Sequence, residues 1–197
     1  MYKRQGLEGR LPDDVHTGHF HESAAGRLWR ISARSFFQTR ADGADALAAI
    51  VAAAADDMGA PSTAVDLYSG VGLYAGVLAA RGWSVTAVEG SRSAVADAGV
   101  NLRESDATMV HADVTGWSPH RADLVVADPS RIGLGRRGVD VVAGTGARRV
   151  ILISCDAASL GRDAALLHQA GYVLRAVTHV DLFPHTFRVE AVTVYDR

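Results

Sequence analysis

Apolar residues fall in short runs along most of this chain, and stretches with helical spacing separate the runs. The runs Ala64–Leu67, Val85–Val88, Met109–His111, Leu124–Ala127 and Val150–Ile153 predict strands, most of them buried on both faces. Between them Gly72–Ala80, Ser93–Val100 and Ala158–Gln169 predict helices. A further helix, Asp42 to Met58, is rich in Ala, Leu, Ile and Val and is stopped by Gly59-Ala60-Pro61. Strands alternating with helices predict a doubly wound parallel sheet. The last two runs, Tyr172–Leu182 and Phe187–Tyr195, have no helix between them, so they pair with each other, antiparallel through Phe183-Pro184-His185-Thr186. The expected fold class is therefore α/β, a seven-stranded, mostly parallel sheet with an antiparallel C-terminal hairpin. Residues 1–40 break the pattern: Gly6, Gly9, Pro12, Gly18 and Gly26 interrupt them, and only Arg27–Ser32 alternates like a strand. They are expected to form an arm or partial linker, with residues 41–197 as the domain.

Composition narrows the classes. A chain of 197 residues with 48% hydrophobic and 21% charged residues is long enough for one core and unlike disordered or collagen-like sequences. No apolar run approaches the roughly 18 residues of a membrane span and no signal-like segment opens the chain, so a cytoplasmic location is expected. The net charge of -2 gives no overall signature of a nucleic-acid binder. The balance is uneven, however: residues 1–40 carry seven basic and four acidic groups, residues 41–197 thirteen and eighteen. A polyanionic partner would be held locally. The single cysteine, Cys155, excludes an internal disulfide, a four-thiolate zinc site and an iron–sulfur cluster made by this chain alone, and no metal is expected.

Candidate chemistry collects where strands end. The first run of the sheet ends in Val65-Asp66-Leu67-Tyr68-Ser69-Gly70-Val71-Gly72-Leu73, where Gly70 and Gly72 permit a tight turn at the edge of the sheet that binds ligands in open α/β folds. A dinucleotide fingerprint would place glycine at 75, but Ala75 stands there and Gly76 falls one residue late. Glu89 closes the second run, where an acid holds ribose hydroxyls of either NAD or S-adenosylmethionine, and Asp113 after the third is a candidate for an adenine amino group. Asp128-Pro129 puts a carboxylate over the same crevice on a stiffened loop. Cys155 ends the fifth run beside a helix N-terminus, whose dipole favours a thiolate. Glu190, within an apolar strand, is a candidate general base with a pKa raised by burial.

Taken together, Ser35-Phe36-Phe37-Gln38, Asp66–Gly72, Asp128–Arg131, Ser154-Cys155-Asp156 with Arg162-Asp163, and Asp181–Glu190 resemble, in this order, the F-F-Q, D-L-Y-x-G-x-G, D-P-x-R, S-C-D and D-x-F-P-H-T-x-x-V-E motifs of the uracil-C5 RNA methyltransferases. Members make 5-methyluridine in transfer or ribosomal RNA. The resemblance implies a Rossmann-like class I methyltransferase fold with S-adenosylmethionine as cofactor, held by Gln38, Tyr68, Gly70, Gly72, Glu89, Asp113 and Asp128. It also implies Cys155 as the nucleophile on uracil C6, Glu190 as the base that removes the C5 proton, and an RNA base turned out of its stack toward Phe36, Phe37 and His185. Departures from the family pattern fall at Arg40, Leu73, Ser130 and Arg188, none of them at Cys155 or Glu190. The resemblance covers only the catalytic part, which implies an RNA-binding domain outside this chain, or a minimal member with weak RNA affinity. Two other readings stay open on the residues: a module that binds cofactor and RNA without turnover, and a nicotinamide oxidoreductase.

Overall fold

A computed structural model describes residues 18–182, 185–186 and 190–197, so the expectations for residues 1–17, Phe183, Pro184 and residues 187–189 lie outside it. The chain begins with a hairpin, β1 (His19–Ala24) and β2 (Arg27–Ser32), followed by α1 (Ala41–Asp56), β3 (Thr63–Leu67), α2 (Leu73–Ala79), β4 (Ser84–Glu89) and α3 (Arg92–Asn101). Then come β5 (Ala107–His111), β6 (Leu124–Ala127), α4 (Gly135–Gly144), β7 (Arg149–Ser154), α5 (Ala157–Gln169), β8 (Val173–Val180) and β9 (Glu190–Asp196).

The main sheet has the order β5-β4-β3-β6-β7-β9-β8. Its first five strands run parallel and β9 runs antiparallel to both β7 and β8. This is the α/β architecture expected from the sequence, with the terminal pair inserted so that β9 lies between β7 and β8. The central strands are buried on both faces, which explains why they read as unbroken apolar runs: every residue of β6 and β7 is buried. Helix α1 buries Ala44, Leu47, Ala48, Val51, Ala52 and Ala55, one stripe at helical spacing.

Two elements were not read from the sequence, β1 and α4. Both sit where glycine or charge blurs the pattern: α4 contains Gly135, Gly138 and Gly144 and two arginines, yet Val139, Val141 and Val142 still form its buried face. Composition divides the chain at residue 40, but packing is continuous across that line. Trp29 and Ile31 of β2 are fully buried in the same cluster as Leu47, Leu78 and Leu102, and Trp29 Nε1 donates to the Ala24 carbonyl at 2.8 Å.

Helix α3 holds the hairpin through two residues one turn apart. The buried carboxylate of Asp97 pairs with Arg30 and accepts from the Ser32 N–H at 2.7 Å, the Ser32 hydroxyl at 2.8 Å and the Ser35 hydroxyl at 2.5 Å. Asn101 accepts from the Arg30 N–H at 2.9 Å and donates to the carbonyls of Arg30 and Val71 at 3.0 and 2.9 Å. The segment leading into Phe36-Phe37-Gln38 and the glycine turn after β3 are thus fixed by one helix. Asp97→Ala is expected to lower the unfolding free energy by about 3 kcal/mol, since it leaves several donors unpaired. A urea titration showing a lower midpoint at unchanged slope checks this.

Candidate active site

The sheet order turns at β3 and β6, with β4 and β5 to one side and β7 to the other. In such folds the crevice at the carboxyl ends of these two strands is the ligand site. Leu67 pairs with Ala127 at the strand ends, so Tyr68 and Asp128 emerge side by side, and the Asp128 N–H donates to the Leu67 carbonyl at 3.3 Å.

After β3 the backbone makes three left-handed steps, Tyr68 at φ 60°, Gly70 at 55° and Gly72 at 94°. Gly72 caps α2, and only glycine takes its conformation without strain. Beneath the turn, Asp66 is fully buried, with one carboxylate oxygen accepting from the Ala75 N–H at 2.8 Å and the other, Oδ1, unpartnered. Burial pushes its pKa well above the usual carboxylate range. The buried Ser69 hydroxyl is unpartnered as well. Buried polar groups are rarely left so, and these two lie beneath the glycine turn, with Ser69 also lining the cleft beside Asp128.

Glu89, at the end of β4, accepts from the Gly70 N–H at 2.9 Å and the Ser91 N–H at 2.7 Å, one bond on each oxygen. It braces the glycine turn and keeps acceptor capacity for a ligand hydroxyl. Asp113 is exposed at the start of a single 3-10 turn, where Oδ1 accepts from the N–H and hydroxyl of Thr115 at 2.8 and 2.5 Å. Those bonds hold its pKa below the ordinary value.

Asp128 faces a cleft it shares with Phe36, Phe37, Gln38, Tyr68 and Tyr74. Its Oδ2 accepts from Gln38 Nε2 at 3.0 Å and from the Tyr74 hydroxyl at 3.1 Å. Burial raises its pKa to about 6 against the pull of those two bonds. Tyr74 was not among the residues picked out by sequence, because an aromatic on an apolar helix reads as core, and it is indeed buried.

Cys155 and Glu190 come together across the antiparallel pair. Ser154 pairs with Ala191 as the last pair of the ladder, so Cys155, one residue past the end of β7, comes next to Glu190 at the start of β9. Glu190 is only 4% exposed, and burial, with the nearby Asp128 charge, raises its pKa to about 7. The Cys155 thiol is half-buried and is pushed above its ordinary pKa by burial, then by the charges of Glu190 and Asp128. This corrects the expectation of a thiolate favoured by the α5 dipole. The first turn of α5 is already answered by the Asp156 carboxylate, which accepts from the Ser159 N–H at 2.8 Å.

The crevice thus gathers Asp66, Asp128 and Glu190, each with a raised pKa, beside Glu89. A site with this surplus of acid, two open buried oxygens and a glycine turn fits a nucleoside ligand that carries positive charge. His185, at φ 65°, is exposed.

No protein-family model matches the chain. It is 35% identical over 192 residues, 92% of its own length, to an uncharacterised RNA methyltransferase of Streptomyces avermitilis. It is 36% identical over 149 residues, 70% of its length and 33% of the relative's, to the 23S rRNA (uracil(1939)-C(5))-methyltransferase RlmD of Tolumonas auensis. The solved tRNA (uracil-54, C5)-methyltransferase of Pyrococcus abyssi, in complex with S-adenosyl-L-homocysteine, is similar at a TM-score of 0.80 and 28% identity, over 90% of this chain and 44% of that one. The chain belongs to the uracil-C5 RNA methyltransferase family. It spans 44% of the length of the Streptomyces relative.

In this member of the uracil-C5 RNA methyltransferases, Arg162 and Asp163 do something the sequence did not specify: they fasten the loop that follows Asp128. Asp163 is buried and accepts from the Leu134 N–H at 2.7 Å and the Gly135 N–H at 3.0 Å, while Arg162 donates to the Ile132 carbonyl. The loop closes on itself through the Gly133 N–H and the Ser130 carbonyl at 2.8 Å. Gly133 stands at φ 73°, and a Cβ there would meet Asp163 Oδ2. Gly133→Ala is expected to cost at least about 2 kcal/mol of stability through backbone strain and displacement of Asp163, seen as a lower thermal midpoint.

Proposed function

We propose that this chain methylates C5 of a uridine in RNA, taking the methyl group from S-adenosylmethionine. The reading is carried by the placement of one thiol and one buried carboxyl, Cys155 and Glu190, at adjacent positions beside the Asp128 crevice. Family membership and the tRNA and rRNA substrates of its relatives support it.

The crevice residues suit the cofactor's chemistry. Asp66 Oδ1 and Ser69 Oγ are unpartnered beneath the turn, Asp128 sits between Gln38 and Tyr74, and Glu89 retains lone pairs for ribose hydroxyls. In this reading Gln38, Tyr68, Glu89, Asp113 and Asp128 hold the cofactor, and Gly70 and Gly72 let the backbone approach it. Bound there, S-adenosylmethionine supplies an electrophilic methyl group on a sulfonium.

Uracil C5 is too weak a nucleophile to take that methyl unaided. The Cys155 thiol gives its proton to solvent, the thiolate sulfur bonds to C6, and the C5–C6 pair moves to C5 and O4, making C5 nucleophilic. As C5 gains the methyl, the bond from the methyl to the sulfonium sulfur breaks and S-adenosylhomocysteine remains. Glu190 then accepts the C5 proton, the C5–C6 double bond re-forms, and the sulfur leaves as thiolate. Burial holds the Cys155 thiol up, and protonation of the Asp128 or Glu190 carboxyl, or binding of a cation, removes only the charges that add to it.

The reaction should show an acid limb. Below about pH 7 Glu190 holds its proton and has no room for that of C5; above it the carboxylate is free to accept. Turnover is therefore expected to rise with pH through an apparent pKa of about 7. A pH–rate profile that is flat from 5.5 to 8 would exclude Glu190 as the titrating base.

We place the chain in the cytoplasm, where transfer and ribosomal RNA are available, and propose that it works with an RNA-binding domain outside this sequence. Incubation with tritiated S-adenosylmethionine and undermethylated bulk RNA, followed by nucleoside analysis, tests the function. Label in 5-methyluridine is expected, and label in any other nucleoside, or none, counts against it.

A further inference from the structure

Ile132 has no role in the chemistry above, yet it is 78% exposed in a loop held by several side-chain and backbone hydrogen bonds. Large apolar side chains on a surface are ordinary when scattered. This one is not placed at random. Its own carbonyl is held by Arg162, the carbonyl two residues before it by the Gly133 N–H, and the two N–H groups after Gly133 by the buried carboxylate of Asp163. A segment that costs a buried carboxylate and a left-handed glycine to build presents an aliphatic side chain to solvent.

The surroundings indicate what it meets. Ile132 follows Asp128 by four residues, and its neighbour Arg131 is close enough to Cys155 and Asp156 for its positive charge to act on both. Phe36, on the cleft it shares with Asp128, is itself 67% exposed. The loop after Asp128 and the Phe36 segment that shares its cleft together carry a cation and two exposed apolar groups. A cation suits a phosphate, and apolar groups suit the flat face of an unstacked base, the pairing by which single-stranded RNA is held.

We propose that Ile132 packs against the RNA base next to the target uridine and fills the space the target leaves when it turns out of the stack. The Arg162–Asp163 clamp holds the loop rigid, so that little ordering entropy is lost on contact. The inference rests on the reading of the chain as an RNA uracil methyltransferase.

The test uses the full chain and a hairpin RNA with a loop uridine flanked by 2-aminopurine, whose fluorescence rises when it unstacks. Wild-type protein is expected to bind this RNA and raise the signal. Ile132→Ala should weaken RNA binding and raise KM for RNA roughly tenfold, the scale of losing a buried aliphatic contact. Ile132→Leu should restore both, while S-adenosylmethionine affinity and thermal midpoint stay unchanged in each variant. Equal RNA affinity and equal fluorescence in wild type and Ile132→Ala would overturn the inference. RNA binding that depends on Ile132 without any methyl transfer to uridine would overturn the proposed function and leave Ile132 an RNA contact with no target uridine beside it. No RNA binding and no methyl transfer by the wild type would overturn both.

Discussion

Cys155→Ala is expected to lower methyl transfer to RNA by at least about four orders of magnitude, the scale seen when a covalent nucleophile is removed. The loss follows from the substrate, since nothing else in the crevice can add to C6 and make C5 nucleophilic. Among the described residues the charged groups that act on it are the carboxyls of Glu190 and Asp128 and the Arg131 guanidinium, none of them a comparable nucleophile. Cofactor binding should survive, because the Gln38–Asp128–Tyr74 contacts and the glycine turn do not involve the sulfur. Equilibrium binding of S-adenosylmethionine beside the rate measurement separates the two effects. Measurable transfer to uracil C5 by the alanine variant at a hundredth of the wild-type rate would remove the cysteine from the mechanism.

Glu190→Gln is expected to act at a later step, with a different signature. Amide and carboxyl are nearly equal in size, and Glu190 is buried at the start of β9, so the strand pairing with β7 should hold. Addition and methyl transfer proceed, but the C5 proton has no acceptor, and methylated RNA stays joined to Cys155. Turnover should fall by about two to four orders of magnitude, with the adduct building up in a single-turnover burst. The acid limb near pH 7 should disappear with the carboxyl. Loss of turnover without any adduct would assign Glu190 an earlier role, and unimpaired turnover would leave it none.

The parts of the molecule differ in how far the sequence revealed them. Strands buried on both faces and helices with one apolar stripe carry their structure in their pattern, so β3, β6, β7 and α1 were legible. The hairpin strand β1 was not, because as an edge strand it exposes most of both faces and shows no alternation. Helix α4 was hidden by three glycines, and its start is set by a residue far along the chain, Asp163, whose carboxylate replaces the local cap that α4 lacks.

The site divides in the same way. Gly70, Gly72, Glu89, Asp128 and Cys155 could be found because each ends a strand or opens a helix at the carboxyl edge of the sheet. Tyr74 and Asp97 work through contacts made across the fold, and no local spacing marks them; Asp163 belongs to a motif visible in the sequence, but its contacts to Leu134 and Gly135 were not. Electrostatics was the least legible. A cysteine before a helix suggests a favoured thiolate, but burial and the charges of Glu190 and Asp128 outweigh the dipole.

The most direct measurement of the proposed chemistry is the intact mass of the wild-type protein after incubation with S-adenosylmethionine and RNA carrying 5-fluorouridine. Fluorine at C5 is no proton for Glu190 to take, so the reaction should halt with the sulfur still on C6. The expected product is protein plus one RNA plus one methyl group, with the crosslink on the peptide containing Cys155. A protein of unchanged mass, from a preparation that makes 5-methyluridine in unsubstituted RNA, would contradict covalent catalysis by Cys155.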